Sequence, residues 1–597
     1  MNRPSFLPDI PLANIVWGLE LPLAGLNGLA LATLAVAWAG GPRPLAVTMA
    51  VATCAGAAGL AARRFRAVHT ALVGRYVLSR LAAVVAAFSF SLPDAAWARL
   101  GAAAAVVGCL LAEPVARAFA DQAFPYASGF PGVKPRAIHL DPDLIFWTNL
   151  AAALALVVAG DAAPGAQFAL ALAVAALNLV VMIDVAVFAV SRLRFNARLP
   201  KLWEAMRPAF AVHWHAAPGS IHQLTMWMDQ LRGLGRPFFI ITRTRENFHE
   251  VTSAFDVPVL HRVGLDGVED ALSPSLKTVF YVNTAILNDH MLRYPHLNHI
   301  QLNHGDSDKI ASYSPVFRAY DKDFVAGQAA IDRFAAAGLA TAPGFFVIVG
   351  RPQVADVAPA RAAVAELAAP MALYAPTWCG NTKDSDYTSL RRGPEIVRAL
   401  LERGCAVIFR PHPYWDKYYR TAAARDEVVA MLAKDAAATG REHVFGAAAE
   451  SEWSLIDCFN RSDLMISDVS SVVNDYLYSE KPFIMMAVTT PPDEFAAEFP
   501  VARGAYVVDY STLTRLVWER PGGAGGAGGA ADTQGAGGGD TRGAEGASEH
   551  TLAAALDAIW GGDPLAADRR QLKHYYLGDI PRAEYAARFA KEAAKYV

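Results

Sequence analysis

The apolar residues of this chain are unevenly placed, and that unevenness restricts its folding more than any other feature. The first 190 or so residues are rich in Ala, Leu and Val. They lift the apolar share of all 597 residues to 54% and the mean hydropathy to +0.24. Runs approaching 20 apolar residues are what about 30 Å of hydrocarbon requires. Candidate spans lie near 22–39, 45–62, 71–92, 95–112, 144–160 and 166–190. The first, second, fifth and sixth approach crossing length; the third carries Arg75 and Arg80, and the fourth is short and Ala-rich. Residues 1–200 therefore read as a polytopic region of four to six helices. The first ten residues lack the basic-then-apolar pattern of a cleaved signal peptide.

Arg63, Arg64 and Arg66 follow the second span, Arg117, Lys134 and Arg136 lie between the fourth and fifth, and Arg192, Arg194, Arg198 and Lys201 follow the sixth. The opposite loops carry little more than Arg43, Asp94 and Asp161. Basic residues stay on the cytoplasmic side, so the N-terminus and everything after residue 192 are expected there. Asp184 falls inside the last span, where a carboxylate is a functional candidate, pairing with Arg75 or Arg80, or else reaches water from near the cytoplasmic end. The net charge of −3 offers no field for a nucleic-acid partner. Five cysteines, an odd number without metal-type spacing, read as unpaired thiols in a reducing compartment.

From about residue 205 short apolar runs alternate with amphipathic stretches. Strands are expected at 210–214 and 236–242, with strand-then-helix units at 277–293, 298–303, 322–338 and 345–349. After the Ala/Pro-rich stretch 355–370 a second series follows, with strands near 371–376, 405–410, 463–467 and 482–487 and helices at 393–403, 424–435 and 471–479. This rhythm predicts two α/β Rossmann-like domains with mostly parallel sheets, at 205–360 and 365–520, and a cleft between them as the usual place for a ligand. Residues 521–549 are almost all Gly, Ala, Asp and Thr and read as a disordered insertion. Residues 550–597 read as a helical segment closing the fold.

Three strand-end segments carry chemistry-bearing side chains. In Gln301–Lys309, His304 is expected to be exposed with a pKa near neutral, suited to taking a proton from a hydroxyl. Gly305 lets a substrate approach the backbone, and Lys309 offers a charge to a phosphate. Asp306 and Asp308 bring negative charge to the same loop and need a hydroxyl or a cation to face. In Arg410–Pro413 two prolines fix the backbone around His412, so that Arg410 and His412 suit a diphosphate. In Ile466–Asp475, Ser470 or Ser471 caps a helix whose free N–H groups and dipole favour an anion. Each segment alone also has a plain reading: a satisfied loop histidine, an Arg–carboxylate pair beside a packed histidine, an ordinary N-cap. Their ordered conjunction points to a phosphate-bearing substrate.

Together with Tyr374-Ala-Pro-Thr-Trp378 and Lys481-Pro482, these motifs resemble the CDP-glycerol glycerophosphotransferases of teichoic-acid synthesis over about residues 290–597. The resemblance implies a two-domain fold of the GT-B glycosyltransferase type, with the nucleotide held mainly by the second domain. It implies transfer of glycerol phosphate from CDP-glycerol to a polymer hydroxyl with release of CMP. His304 would then be the general base, and His412 with Ser470 and Ser471 would hold the donor diphosphate. Thr377 belongs to the shared motif, and Arg410, Asp468 and Asp475 would support the donor. Asp306-Ser307 and Cys379 stand where the family commonly has Thr-Pro and Arg, which leaves room for another alditol phosphate such as ribitol phosphate.

The expected function is thus a membrane-anchored transferase with a CDP-alditol donor and a lipid-linked acceptor. No cofactor is expected, and the absence of a carboxylate–metal motif predicts that a metal is dispensable. The rivals are a nucleotide-sugar glycosyltransferase of the same fold and a polytopic carrier with a non-catalytic cytoplasmic domain.

Overall fold

The computed structural model describes residues 21–68, 71–89, 97–120, 125–160, 162–380, 386–417, 419–513 and 550–597. The insertion read at 521–549 lies outside them. The chain divides into two compact units, one of Met1–Met206 with Thr242–Ser273, the other of Arg207–Ile241 with Pro274–Val597. The strands, in chain order, are β1 (Ala127–Ser128), β2 (Phe210–Trp214), β3 (Phe238–Thr242), β4 (Val259–His261), β5 (Thr278–Tyr281), β6 (Asn298–Gln301) and β7 (Lys322–Val325). They continue with β8 (Phe346–Ile348), β9 (Met371–Ala375), β10 (Ala406–Phe409), β11 (Leu464–Ser467), β12 (Phe483–Ala487) and β13 (Tyr506–Asp509).

In the first unit, four helices among the described residues are long and apolar enough to cross a membrane: Leu21–Trp38, Arg43–Arg63, Trp97–Ala120 and Pro164–Met206. Val77–Ser89 and Asp143–Ala159 are shorter. This corrects one expectation. The fourth candidate is a full 24-residue helix, because its Ala-rich sequence favours helix and its internal Glu113 is neutralised. Arg80 donates to both Glu113 oxygens, at 2.8 and 2.6 Å, with neither side chain exposed. The fifth runs 17 residues, the length read from the sequence, and stops at Gly160, which takes φ +54°. Asp184 does not meet Arg75 or Arg80. It accepts from the Arg136 guanidinium at 2.8 Å and from the backbone N–H groups of His139 and Leu140 at 2.8 and 3.1 Å.

The last helix runs 43 residues, about 65 Å at 1.5 Å per residue, well past the expected end at 190. Its final turns bury Phe195, Leu199 and Trp203. Phe195 packs on Tyr126 at 5.2 Å and Trp203 on Phe130 at 5.5 Å. The segment 242–273 joins this unit through β4, which pairs antiparallel with β1, and through the buried Arg262. That guanidinium donates to Tyr126 O (3.0 Å), Asn196 Oδ1 (2.9 Å) and Asp270 Oδ2 (2.8 Å).

The second unit contains two sheets. In the first, β3, β2, β5, β6, β7 and β8 are neighbours in that order, and β2, β5, β6, β7 and β8 are parallel. The other is fully parallel with order β10-β9-β11-β12-β13. β9, β10, β11 and β12 match strands read from the sequence; β13, only Tyr506–Asp509, was not anticipated. Parallel strands place their C-terminal ends, and the loops that follow them, along one edge. The closing helices Leu552–Trp560, Ala566–Leu577 and Tyr585–Ala593 pack on both sheets' cores. Leu552, Leu556 and Ile559 join the core around β9, and Phe589 meets Trp227 at 5.3 Å and Phe324 at 6.2 Å.

Candidate functional site

The His-Gly loop leaves β6 through Asn303, whose φ of +58° is a left-handed turn that Asn tolerates. Asn303 is anchored on both sides: its carbonyl accepts from Trp227 Nε1 at 2.6 Å and its amide donates to Asp323 at 2.7 Å. The turn brings His304 Nδ1 to 3.0 Å from the Val282 carbonyl. A carbonyl only accepts, so Nδ1 carries the proton and Nε2 keeps its lone pair. His304 is half-buried rather than exposed, which corrects the expected near-neutral pKa. Desolvation, with the nearby positive charges of His222 and Arg351, lowers it to about 4, opposed by the Val282 bond.

Gly305 is required by a close approach. A Cβ there would lie 3.0 Å from both Cβ and Oγ of Ser471, so the His-Gly loop touches the start of the helix Ser471–Tyr476. Ser470 caps that helix, its hydroxyl accepting from Val472 N at 3.4 Å. Further along the loop, Lys309 Nζ donates to Thr377 Oγ1 at 3.3 Å and lies 5.4 Å over the Tyr387 ring. Thr377 N donates to Asp468 Oδ2 at 2.8 Å. Burial pushes the Lys309 ammonium down to about 8, with Asp468 opposing. Burial also pushes the Asp468 carboxyl up to about 7, opposed by hydrogen bonds from Ser389 and Thr377 and by Lys309.

His412 is drawn to the same edge, its backbone N–H donating to Pro376 O at 3.0 Å. Its Nδ1 accepts from Tyr414 N at 3.2 Å, so in the neutral ring Nε2 carries the proton and is a donor. The ring stacks on Trp378 at 6.1 Å and 29°. His304, Gly305, Lys309, Thr377, His412, Asp468, Ser470 and Ser471 are thereby linked through direct contacts between their loops.

Arg410 and Asp475 are held differently. One Arg410 nitrogen donates to the carbonyls of Ala449 and Trp453, the latter at 2.8 Å, and lies 3.8 Å from Cys458 Sγ, so it is held by backbone carbonyls and a thiol. Asp475 is taken by Arg351, whose Nε and Nη2 lie 2.9 and 3.2 Å from its two oxygens. Arg351 also donates to His304 O at 3.2 Å. The two loop aspartates face a cation, Arg333, which pairs with Asp306 and, at 2.9 Å, with Asp308. Asp308 also accepts from Tyr576 OH at 2.7 Å. Lys481 Nζ reaches the carbonyls of Phe459 and Ser462, both at 2.7 Å, and so caps the helix Leu455–Arg461. Among the described residues no group of three or more His, Cys, Asp or Glu is placed to hold a metal ion.

Arg351, Arg333 and Tyr576 were missed in the sequence. Arg351 follows β8 by three residues and carried the same strand-end signal as His304; the other two carry no local signal.

The loops after β6 and β10 bring basic and imidazole side chains, and those after β9 and β11 bring Thr377, Asp468 and the serine pair, a set of groups suited to an anionic ligand. More narrowly, residues 361–492 match the family model for CDP-glycerol:poly(glycerophosphate) glycerophosphotransferase. The resemblance drawn from the motifs holds over that segment. The segment contains Thr377, Arg410, His412, Asp468, Ser470, Ser471 and Asp475, while His304, Gly305 and Lys309 precede it. Among solved structures, the chain is similar to the wall teichoic acid polymerase TagF in a histidine-to-asparagine variant with CDPG. That likeness has 12% identity and TM-score 0.38, covering 68% of this chain and 93% of the other. It is also similar to a UDP-N-acetylglucosamine 2-epimerase (12% identity, TM-score 0.37, 65% and 95% covered). A third similarity is to S. aureus MnaA with UDP (12%, TM-score 0.34, 50% and 83%). A search of the curated proteins gives no match.

Proposed function

We propose that the protein is a membrane-anchored transferase that moves glycerol phosphate, or another alditol phosphate, from a CDP-activated donor to a hydroxyl of a lipid-linked surface polymer. The acceptor oxygen attacks the donor β-phosphorus, the bond from that phosphorus to the bridging oxygen breaks, and CMP leaves. Such a transfer depends on positioning and charge neutralisation more than on covalent chemistry.

The observation that carries this reading is the Lys309–Thr377–Asp468 chain, which joins the loop bearing His304 to the loops after β9 and β11. His304 Nε2 takes the hydroxyl proton. Its low pKa keeps it neutral and available, and an arriving diphosphate raises its basicity by adding negative charge. Lys309, the His412 Nε2–H and the Ser470–Ser471 helix start face the diphosphate. Arg410, Asp468 and Asp475 support them from behind, the last through Arg351. In this arrangement 205–360 is the acceptor domain and 365–520 the donor domain of a GT-B-type pair. The N-terminal helices form a multi-pass anchor that keeps the active site on the cytoplasmic face.

The test is CMP release by the detergent-purified full chain with CDP-glycerol, CDP-ribitol and UDP-sugars, with and without membrane lipid extract. The expected result is CMP from one CDP-alditol, lost in His304→Ala. UDP release without CMP would replace this reading with that of a sugar transferase.

A further inference from the structure

In the first unit, a cavity of about 520 Å³ opens against the last apolar helix, lined by Arg136, Ala186, Val187, Val190, Ser191 and Arg194. Positions 186, 187, 190, 191 and 194 recur at the spacing of one helical face, and Arg136 comes from the preceding loop. Ala186, Val187 and Val190 form an aliphatic wall. It continues, one turn and more toward the helix N-terminus, into the exposed Leu179, Val180 and Ile183. The polar end of the cavity is cationic. Arg136 is held by Asp184, its side chain still 38% exposed, and its backbone N–H donates to Tyr126 OH at 3.3 Å, which bonds Ser191 Oγ at 2.9 Å. Arg194 is exposed on the same helix, and Arg192, Arg198 and Lys201 follow the same stretch, so Asp184 does not cancel the local charge.

The height of the cavity is informative. About 20 residues of helix cross the hydrocarbon. A crossing that begins just after the buried Gln167 therefore ends near residue 188, with Ser191 and Arg194 one to two turns beyond, at the level of lipid headgroups.

We propose that this cavity is a binding site for an anionic membrane lipid, with its phosphate between Arg136 and Arg194 beside Ser191 and one acyl chain along Val187 and Val190. Two arginines over an aliphatic wall match a headgroup anion on a hydrocarbon chain, and neither half of the site suits a free nucleotide. The site rests on the reading that these helices cross a bilayer, and none of its residues belongs to the loops proposed to hold the donor.

The experiment measures the melting temperature of the detergent-purified full chain against phosphatidylglycerol, phosphatidylcholine and inorganic phosphate. Phosphatidylglycerol alone is expected to raise it. Arg194→Gln is expected to raise the half-saturating lipid concentration roughly fivefold, the effect of about 1 kcal/mol per basic residue near an anionic surface. Val190→Glu, which puts a carboxylate into the wall, is expected to abolish the shift. An equal shift with phosphatidylcholine or with inorganic phosphate, or an unchanged response in Arg194→Gln, would overturn the proposal. Flotation with phosphatidylcholine vesicles after an alkaline wash separates the two readings. Loss of flotation removes the membrane-spanning reading and this site with it. Flotation without a phosphatidylglycerol preference removes the site alone.

Discussion

Lys309 offers the sharpest quantitative test. Its ammonium is stabilised by Asp468 but desolvated in the loop, which brings its pKa from 10.5 to about 8. Asp468, raised by burial, titrates at about 7. Below 7 the pair carries a net positive charge, between 7 and 8 it is neutral, and above 8 it is negative. Affinity for an anionic donor should therefore fall in two steps as pH rises, with kcat/KM dropping about tenfold per unit once the second proton has gone. In Lys309→Arg the guanidinium stays charged, so the step near 8 should disappear. In Lys309→Met a charge-assisted hydrogen bond is lost, worth about 1.5–3 kcal/mol, or roughly 10- to 150-fold in kcat/KM. Asp468→Asn removes the counter-charge, so the lysine step should move to lower pH. The assay is CMP release at saturating acceptor across pH 6 to 10 (roughly the span of both steps). An alkaline limb that stays in place in Lys309→Arg would refute the assignment of Lys309 to the donor.

His304→Ala should lower kcat by about 10²- to 10⁴-fold, the usual contribution of a general base, while leaving the melting temperature within a few degrees. In the wild type, the acid limb of kcat/KM should extend toward pH 4, since the free histidine titrates at about 4, and that of kcat should lie higher because the bound diphosphate favours the imidazolium. Gly305→Ala places a Cβ 3.0 Å from Ser471 and should cost roughly tenfold in kcat/KM through displacement of the loop; adding Ser471→Gly should restore much of it. Arg333→Met strands the buried Asp308 and the partly buried Asp306 on the His-Gly loop and should destabilise by about 3–5 kcal/mol, read as a lower melting temperature. Adding Asp306→Asn and Asp308→Asn should recover part of that loss.

The alternation of strands and helices is legible because each element is set by its own local pattern: β9, β10 and β11 are short, mostly apolar runs ended by Pro376, Arg410-Pro411 and Asp468. The lengths of the N-terminal helices were not legible to the same degree. Whether Glu113 interrupts a span depends on Arg80, 33 residues away. Asp184 illustrates the same limit. Its partners are a loop arginine and two backbone N–H groups, which hydropathy does not register. The association of 242–273 with the helical unit turns on Arg262 and its bonds to residues 126, 196 and 270, the first two of which lie far outside any window of periodicity.

For the candidate site, the strand-end rule points to the side chains proposed to face a ligand and not to those that hold them. His304, Lys309, Thr377 and His412 sit on short loops whose sequence announces them. Their electrostatic settings come from elsewhere: Arg333 neutralises the loop aspartates, Tyr576 reaches Asp308 from the closing helices, and Arg351 ties Asp475 to the His304 carbonyl. The strand-end position alone suggests a near-neutral His304, whereas burial among its neighbours and the Arg351 charge both lower its pKa. Arg351 has the most to teach. It contacts two separate motifs at once, so Arg351→Lys, which keeps the charge but loses the fork, should weaken both contacts together. Wild-type stability with reduced kcat in that variant would identify Arg351 as a positioning residue; lost stability with kcat per folded molecule unchanged would reduce it to a structural pair.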